Sequence, residues 1–350
     1  MKRIIVLLLI LAGSIAVTAQ QKPLTQAEYV KMLYALQQAP GTKADIISSL
    51  RARGIDFVVT EGIRGLTRSK SGNDEEIRRA LDEADRRRQN PEMAKVPGRA
   101  EADKLLAKTR QNTLAALEDM PDFVVKQQIQ RSAAYAGTGT FRSMDNLIVA
   151  VSYKSSGEEE YKLLMLNGAI QNDPKPKQSY EEAGGTSSTG EFVTVLATIF
   201  KPESDAQFSP LETDVLHGRK TVVFDFSVTK DKARQTLTAV GYLSDSTITG
   251  MTGRVWIDTA AARVLRIESE ATEIPPNFPI PSAKRNIDYD WIKIADESYL
   301  LPSLSDVRLT IRQNGKLFET RNLIKFKNYQ KYGTDVIIVD DDSGPIKPEN

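Results

Sequence analysis

The sequence predicts an α+β protein, with an N-terminal helical domain followed by a large antiparallel β-sheet that carries an inserted covering helix. Up to about residue 119, apolar residues recur at helical spacing. From Pro121 onward, they alternate with polar residues at the period of a strand. Consecutive long strands joined by short turns are typical of an antiparallel meander rather than a parallel α/β sheet.

The helical domain is predicted over residues 25–89. Thr25 and Glu28 form a capping-box pattern, in which the two side chains satisfy backbone amides at a helix start. A charged helix ends this domain with Arg86-Arg87-Arg88, which we interpret as a solvated helix end in preference to a site for an anionic partner. Residues 90–120 are predicted to form a linker and a connecting helix.

The β domain is predicted over residues 121–332. Val222–Val228 is representative of its strands, because alternate residues are apolar and face one side. Asn314-Gly315 is a strong signal for a two-residue hairpin between the last two strands. The polar residues 333–350 are predicted to be a disordered acidic tail.

One helical segment interrupts the strand series. Ser188 to Glu191 is a second capping-box pattern, and Pro202 ends the segment. The apolar residues between them recur at helical spacing and are Phe192, Val195, Leu196, Ile199 and Phe200. An apolar stripe of this width must cover an apolar surface, which we expect to be the concave face of the sheet.

Residues 1–19 have the pattern of an export signal. Lys2-Arg3 precede the apolar run Ile4–Ala12, and Val17-Thr18-Ala19 supplies small residues at a plausible cleavage site. The alternative is a membrane anchor, but the run is shorter than the roughly 20 residues that a span requires. We therefore expect a periplasmic or secreted protein that is peripheral to a membrane at most.

Several kinds of site are excluded or disfavoured by composition. The chain has no cysteine, which excludes disulfides, thiolate metal sites and a lipid-modified N-terminal cysteine. His217 is the single histidine, so most imidazole-based catalysis is disfavoured, and we interpret it as part of a turn. With 47 basic and 46 acidic residues, binding to nucleic acid is not expected. We expect no cofactor, no metal ion and no catalysis.

Two groups of aspartates are candidate sites. Asp288 and Asp290 share a strand face and flank aromatic residues, so they could serve as paired carboxylates in a hydrolase. The simpler interpretation is the solvent side of an amphipathic strand. Asp340-Asp341-Asp342 lacks the glycine and distal glutamate of a calcium loop and is assigned to the disordered tail.

Three aromatic residues are candidates for the wall of a ligand cavity. Trp256, Tyr289 and Trp291 all lie on predicted strands, where ordinary sheet packing also explains them. Trp256 is unusual because its neighbours Val255 and Ile257 face the other way, which indicates a rim, an interface or a cavity wall.

The strand Gly253–Asp258 and its returning partner Ala262–Glu268, together with the meander and its inserted helix, resemble the outer-membrane lipoprotein-sorting-like proteins of the periplasm. That group includes the lipoprotein carrier and anti-sigma-regulator folds, and the resemblance covers residues 121–332. It implies a half-open barrel that is lined by apolar residues and covered by helices. It also implies binding of an acyl chain or a lipoprotein without catalysis, and it transfers no catalytic residue to this chain.

Three functional hypotheses follow from these observations. The first is an exported binding protein that holds a lipid, acyl chain or lipoprotein between the sheet and the covering helix. The second is an envelope interaction module with a packed β core, whose helical domain docks a protein partner. The third is a hydrolase that uses Asp288 and Asp290.

Overall fold

The computed structural model describes residues 22–94, 96–171, 180, 184–239 and 245–332. The predicted export signal and acidic tail lie outside these residues. The helices are α1 (Gln26–Gln38), α2 (Lys43–Arg53), α3 (Glu61–Lys70), α4 (Glu75–Gln89), α5 (Arg99–Glu118), α6 (Thr194–Phe200) and α7 (Lys230–Ala233). Within the described residues, none of these helices is long and apolar enough to cross a membrane.

Helices α1 to α4 form the N-terminal helical region around an apolar core of their own. The predicted capping box at α1 is confirmed, since the Glu28 amide donates to Thr25 Oγ1 at 3.2 Å and the Thr25 amide donates to the Glu28 carboxylate at 2.8 Å. Gly54 ends α2 with a φ of 67°, a left-handed conformation that favours glycine. Local capping and a shared core therefore define this region.

The remainder of the chain is dominated by one large antiparallel sheet that does not close into a barrel. Its strands are β1 (Phe123–Tyr135), β2 (Arg142–Tyr153), β3 (Glu159–Leu166), β4 (Ala169–Ile170), β5 (Gln207–Leu216), β6 (Arg219–Val228), β7 (Gln235–Ala239), β8 (Asp245–Asp258), β9 (Arg263–Thr272), β10 (Ser282–Ile294), β11 (Glu297–Gln313) and β12 (Lys316–Lys331). Their order is β4-β3-β2-β1-β12-β11-β10-β9-β8-β6-β5, and β7 pairs with β8. The predicted α+β class is confirmed.

Both faces of the sheet are covered along β6, β8, β9 and β10. One face, which we call the apolar face, packs against α5 and α6 through aliphatic and aromatic side chains. The opposite face, which we call the charged face, contacts α2 and α4 through ion pairs. Neighbouring residues of a strand point to opposite faces, so each of these strands contributes to both surfaces.

The connecting helix α5 is part of the cover of the sheet. Its Asn112 side chain donates to the carbonyl oxygen of Ala261 at 3.2 Å, in the turn between β8 and β9. Its apolar residues, among them Leu114 and Leu117, pack against the cluster formed by the sheet. The segment 99–118 is therefore packed along its length and does not act only as a connection.

The covering helix is shorter than the sequence pattern predicts. It begins at Thr194. Ser188 does not cap it, because its hydroxyl donates to the Glu191 carboxylate instead of accepting from a backbone amide. A capping box requires the serine to accept from the backbone three residues on. Phe192 consequently precedes the helix.

The interpretation of Arg86-Arg87-Arg88 as a solvated helix end is wrong. Arg86 Nε donates to Asp214 at 2.8 Å, and Arg87 Nη1 donates to Glu212 at 2.5 Å, so both arginines bind the edge strand β5. The third, Arg88, pairs within α4 with Asp85. Periodicity within one helix cannot show which side chains meet another element of the fold, and this explains the error.

Candidate functional site

The four residues of the predicted stripe that lie on α6 all pack into the apolar face. They are Val195, Leu196, Ile199 and Phe200, and each is buried. Their cluster includes apolar side chains from β6, β8, β9 and β10 as well as α5. The inserted helix therefore covers an apolar surface of the sheet, as the sequence predicts.

Phe192 belongs to a second apolar cluster. Its ring centroid lies 5.3 Å from that of Phe123 and 5.5 Å from that of Phe326, both in edge-to-face geometry. Tyr153 is the next aromatic neighbour, at 6.0 Å. These rings fill the region above β1, β2 and β12, away from the cluster that α6 joins.

A small gap lies where α5 and α6 meet the sheet. Tyr289 is fully buried there, and its hydroxyl has no hydrogen-bond partner among the described residues. The gap that it lines with Leu196 of α6, Thr113 of α5 and Leu300 has a volume of about 10 Å³. One water molecule needs roughly 10–15 Å³, so this gap is too small for an acyl chain.

The two tryptophans lie apart from this gap. Trp256 is on the charged face, where its Nε1 donates to Asp214 at 3.0 Å and its ring lies 4.5 Å from the Arg254 guanidinium. Trp256 therefore lies at the interface between the sheet and the helical region, which is one of the three alternatives that its sequence position indicates. Trp291 is 41 % exposed, and its ring faces Arg263 at 5.6 Å.

The candidate carboxylates of the hydrolase hypothesis each contact a different basic side chain. Asp288 accepts from Arg266 Nε. Asp290 lies 2.9 Å from His217 Nδ1, and both of these side chains are close to half exposed. Because Asp290 is close to half exposed and each carboxylate contacts its own partner, the pair does not enclose a space that could hold a substrate.

A cavity of about 610 Å³ lies on the charged face. We call it the charged cavity. It is lined by α2 and α4 of the helical region and by β5, β6 and β8 to β11 of the sheet. Its charged lining residues are the cations Arg51, Arg79, Arg254, Lys284 and Arg308 and the anions Glu76, Asp225, Glu268, Glu270 and Asp306. Charges of both signs therefore surround one interdomain space.

Arg254 connects the sheet to the helical region at one wall of the charged cavity. Its guanidinium donates to Glu212 at 2.9 Å, Glu83 at 3.2 Å and Glu268 at 3.3 Å. Burial acts to lower the pKa of Arg254, but the carboxylates of Glu83, Glu268 and Glu212 outweigh it and raise that pKa. The guanidinium is thus fixed as a cation, while its Nε remains buried without a hydrogen-bond partner.

Helix α4 supplies the opposite wall with paired charges. Arg79 Nη1 lies 3.3 Å from Glu268, and Glu76 lies 2.9 Å from Lys43 and 4.0 Å from Lys284. Burial acts to raise the pKa of Glu76, but the two lysines lower it to about 2. Glu76 is therefore ionised at neutral pH and holds the helix against the sheet.

Asp225 on β6 differs from the other carboxylates that line the charged cavity. It lies directly across from Arg254 in the strand register, yet it makes no hydrogen bond or ion pair with the described part of the chain. Partial burial raises the pKa of Asp225. The rings of Phe208 and Phe226, its neighbours in β5 and β6, lie on the apolar face instead, where Phe208 stacks on Phe200 of α6.

The charged cavity is absent from the sequence-based predictions. Its residues, such as Asp225, Arg254 and Glu268, occupy the alternate strand positions that a meander normally exposes to water. The signal that could have indicated it is Trp256, because a tryptophan on the polar side of a strand implies that another element covers that side.

No protein-family model matches the chain, and no curated protein matches it. Among solved structures, a DUF1329 family protein from Desulfovibrio piger is 6% identical, with 66% of this chain and 95% of that chain covered and a TM-score of 0.30. The MucA/MucB complex of Pseudomonas aeruginosa is 11% identical, with 62% and 93% covered and a TM-score of 0.20. TM-scores this low support no argument about function, and the family resemblance stays a prediction.

Proposed function

We propose that this chain is a non-catalytic binding protein of the bacterial envelope and that it holds a charged or polar ligand in the charged cavity. The observation that carries this proposal is the charged cavity of about 610 Å³ between the helical region and the sheet. The gap where α5 and α6 meet the sheet has about 10 Å³. Binding sites for small ligands are typically clefts of about 300–1,000 Å³ and often lie between domains.

The chemistry of the lining supports a polar ligand. Arginine and lysine side chains line the same space as carboxylates, and the carboxylate of Asp225 is exposed there without a hydrogen bond or ion pair to the described residues. A ligand with both donors and acceptors complements such a lining.

Burial of an acyl chain under α6 remains a prediction that requires the cover to move. Gly190, with a φ of 81°, precedes α6, and Gly184 and Gly185 lie upstream with φ of 67° and 69°. Displacing α6 would expose Ile199 and Phe200, which are fully buried in the closed conformation. Because exposing these two side chains to water costs free energy, the charged cavity is the better supported binding site.

Native mass spectrometry of the full chain, isolated from an envelope fraction, tests the proposal. Ser227→Trp would fill the charged cavity, since Ser227 lines it and is exposed. Ser298→Trp, at an exposed position of β11 outside the lining, is the matched control. We expect a bound polar compound in the wild type and in Ser298→Trp and its loss in Ser227→Trp.

Two results would overturn the proposal. One is a lipid that remains bound to Ser227→Trp, which would place binding on the apolar face. The other is a wild-type mass without any ligand, combined with no stabilisation by a panel of amino acids, short peptides and polyamines in thermal unfolding.

A further inference from the structure

We infer that one end of the sheet docks on an anionic lipid surface, at a place separate from the charged cavity. This end is formed by the β1–β2 and β11–β12 hairpins, and we call it the hairpin tip. It presents exposed apolar and basic side chains together, and they are those of Tyr135, Arg142, Met144, Arg312, Lys316 and Leu317. None of these six residues lines the charged cavity.

Exposed apolar side chains are grouped at the hairpin tip. Tyr135, Met144 and Leu317 are 57 %, 55 % and 44 % exposed. Tyr135 lies across from Phe318 in the strand register, and their ring centroids are 5.0 Å apart. The amide of Ala136 donates to the carbonyl oxygen of Leu317 at 3.0 Å, which joins the two hairpins. Single exposed apolar residues are ordinary, whereas a group of them marks a contact surface.

Three cations flank this apolar group. Arg142, Arg312 and Lys316 are exposed, and none of them forms an ion pair with a described residue. Arg312 lies across from Leu317 in the strand register, and Lys316 precedes Leu317 in β12. Arg142 lies across from Ala133, two residues before Tyr135 in β1. Basic and apolar side chains therefore share one surface.

The hairpin tip has few carboxylates. Asp145 is the single acidic residue within 135–146, and Arg131 Nε donates to it at 2.6 Å, while 311–318 contains no acidic residue. The next one along β12, Glu319, lies 3.9 Å from Arg308. The charge of the three exposed cations is therefore not neutralised within the two hairpin ends.

The opposite end of the sheet carries charges of both signs. Asp296 and Glu297 are exposed in the turn from which β11 starts, beside the exposed Lys293 of β10. Glu118 and Asp119 are exposed where α5 ends. An anionic surface therefore attracts the hairpin tip in preference to the opposite end, and the protein would bind such a surface in one orientation.

A lipid surface suits this combination of side chains. Aromatic and aliphatic side chains enter the headgroup region of a bilayer, and lysine and arginine beside them attract anionic headgroups. Each basic residue near such a surface contributes about fivefold to the partition coefficient. A neutral lipid surface offers only the apolar part of this attraction, so we expect selectivity for anionic lipid.

Co-sedimentation of the chain, isolated from an envelope fraction, with vesicles tests this inference. One vesicle preparation is phosphatidylcholine alone, and the other is phosphatidylcholine and phosphatidylglycerol in equal parts. Arg142→Gln/Lys316→Gln removes two charges from the hairpin tip, and Lys220→Gln/Lys293→Gln removes two exposed charges from the opposite end as the matched control. Tyr135→Ser and its control Tyr332→Ser each remove an exposed ring, one from either end.

We expect the wild type to bind the anionic vesicles and not the neutral ones. Arg142→Gln/Lys316→Gln should weaken this binding by about tenfold or more and Tyr135→Ser by about threefold or more, whereas both controls stay within about twofold of the wild type. Equal binding to the two preparations, no binding to either, or equal losses in the tip variants and their controls would overturn the inference. A dimer that Tyr135→Ser dissociates, together with no vesicle binding, would assign the hairpin tip to a second copy of the chain instead.

The hairpin tip and the charged cavity can be tested apart. Ser227→Trp fills the charged cavity and leaves the hairpin tip unchanged, so its vesicle binding should equal that of the wild type. Loss of vesicle binding in Ser227→Trp would place the lipid contact at the charged cavity and overturn the inference. Absence of vesicle binding in the wild type would leave the proposed binding of a polar ligand unaffected.

Discussion

The two faces of the sheet are covered in different ways. On the apolar face, α5 and α6 pack through aliphatic and aromatic side chains, and the gap beside Tyr289 has a volume of about 10 Å³. On the charged face, ion pairs join α2 and α4 to the sheet and leave about 610 Å³ open. Apolar side chains gain free energy when they leave water and pack without voids, whereas an ion pair needs only that its charged atoms come into contact. A charged interface can therefore be fixed in geometry and still contain a cavity.

This difference separates the roles of the two faces. The apolar face provides the burial that stabilises the fold. Buried ion pairs contribute little net stability, because removing the charges from water offsets their attraction, but removing one partner is costly. The pairs around Arg254 therefore fix the position of the helical region and preserve the charged cavity.

The largest expected effect is on the apolar face. Phe192→Ala removes a ring that contacts Phe123, Tyr153 and Phe326, so we expect a loss of about 4 kcal/mol in the free energy of unfolding. Urea denaturation measures this change. Tyr135→Ala is the control, because Tyr135 is 57 % exposed. Equal losses in the two variants would show that the second apolar cluster is not tightly packed.

The next effect is on the charged face. Arg254→Met keeps the aliphatic length but leaves Glu83, Glu212 and Glu268 without this cation, which should cost about 3 kcal/mol. Lys162→Met, at an exposed position of β3, serves as the control for charge removal. A loss below about 1 kcal/mol in Arg254→Met would mean that the remaining pairs with Arg87 and Arg79 suffice to neutralise these carboxylates.

A smaller effect depends on pH and concerns Glu76. The pKa of this carboxyl is about 2 in the folded chain, below its ordinary value of 4.5. A lowered pKa stabilises the folded state above pH 4.5, and this contribution is lost as pH falls toward 2. With partial exposure considered, we expect about 1 kcal/mol.

The measurement is urea denaturation of wild type and Glu76→Gln at several pH values between 6 and 2.5. The stability difference between them should shrink as pH falls. A difference that stays constant or grows over this interval would contradict the assigned role of Lys43 and Lys284.

The smallest expected effect concerns His217 and Asp290. Both side chains are close to half exposed, so His217→Asn should change the free energy of unfolding by about 0.5 kcal/mol or less. Asp290→Asn should give the same result in the same assay. A substantially larger loss in either variant would show that this edge of the sheet is more constrained than its exposure indicates.

Sequence patterns predicted the parts of the fold that depend on local periodicity. The capping box at Thr25 and the hairpin at Asn314-Gly315 are both present. The turn predicted at His217 is also present, between β5 and β6, and Pro210 of β5 is tolerated because β5 is an edge strand with a bulge at that residue. The helix start at Ser188 was wrong because the Ser188 hydroxyl donates to the carboxylate of Glu191, three residues on, instead of accepting from its backbone amide.

The candidate site was less accessible to prediction from sequence. The α6 stripe has a periodic signal, and its burial followed from that signal. The charged cavity joins Arg79 of α4 to Glu268 of β9, residues 189 positions apart, and no local pattern records such a pairing. Polar residues alternate with apolar ones along a strand in the same way whether their side of the sheet faces water or another part of the protein.

The most direct test of the contrast between the two faces is the labelling rate of single cysteines in the folded chain, which contains no native cysteine. Ser227→Cys places the thiol in the charged cavity, and Leu196→Cys places it beneath α6. We predict rapid reaction of Ser227→Cys with a maleimide, slowed by a bound polar ligand, and reaction of Leu196→Cys only after unfolding. Rapid labelling of Leu196→Cys that a fatty acid prevents, with Ser227→Cys protected in the free protein, would contradict the account.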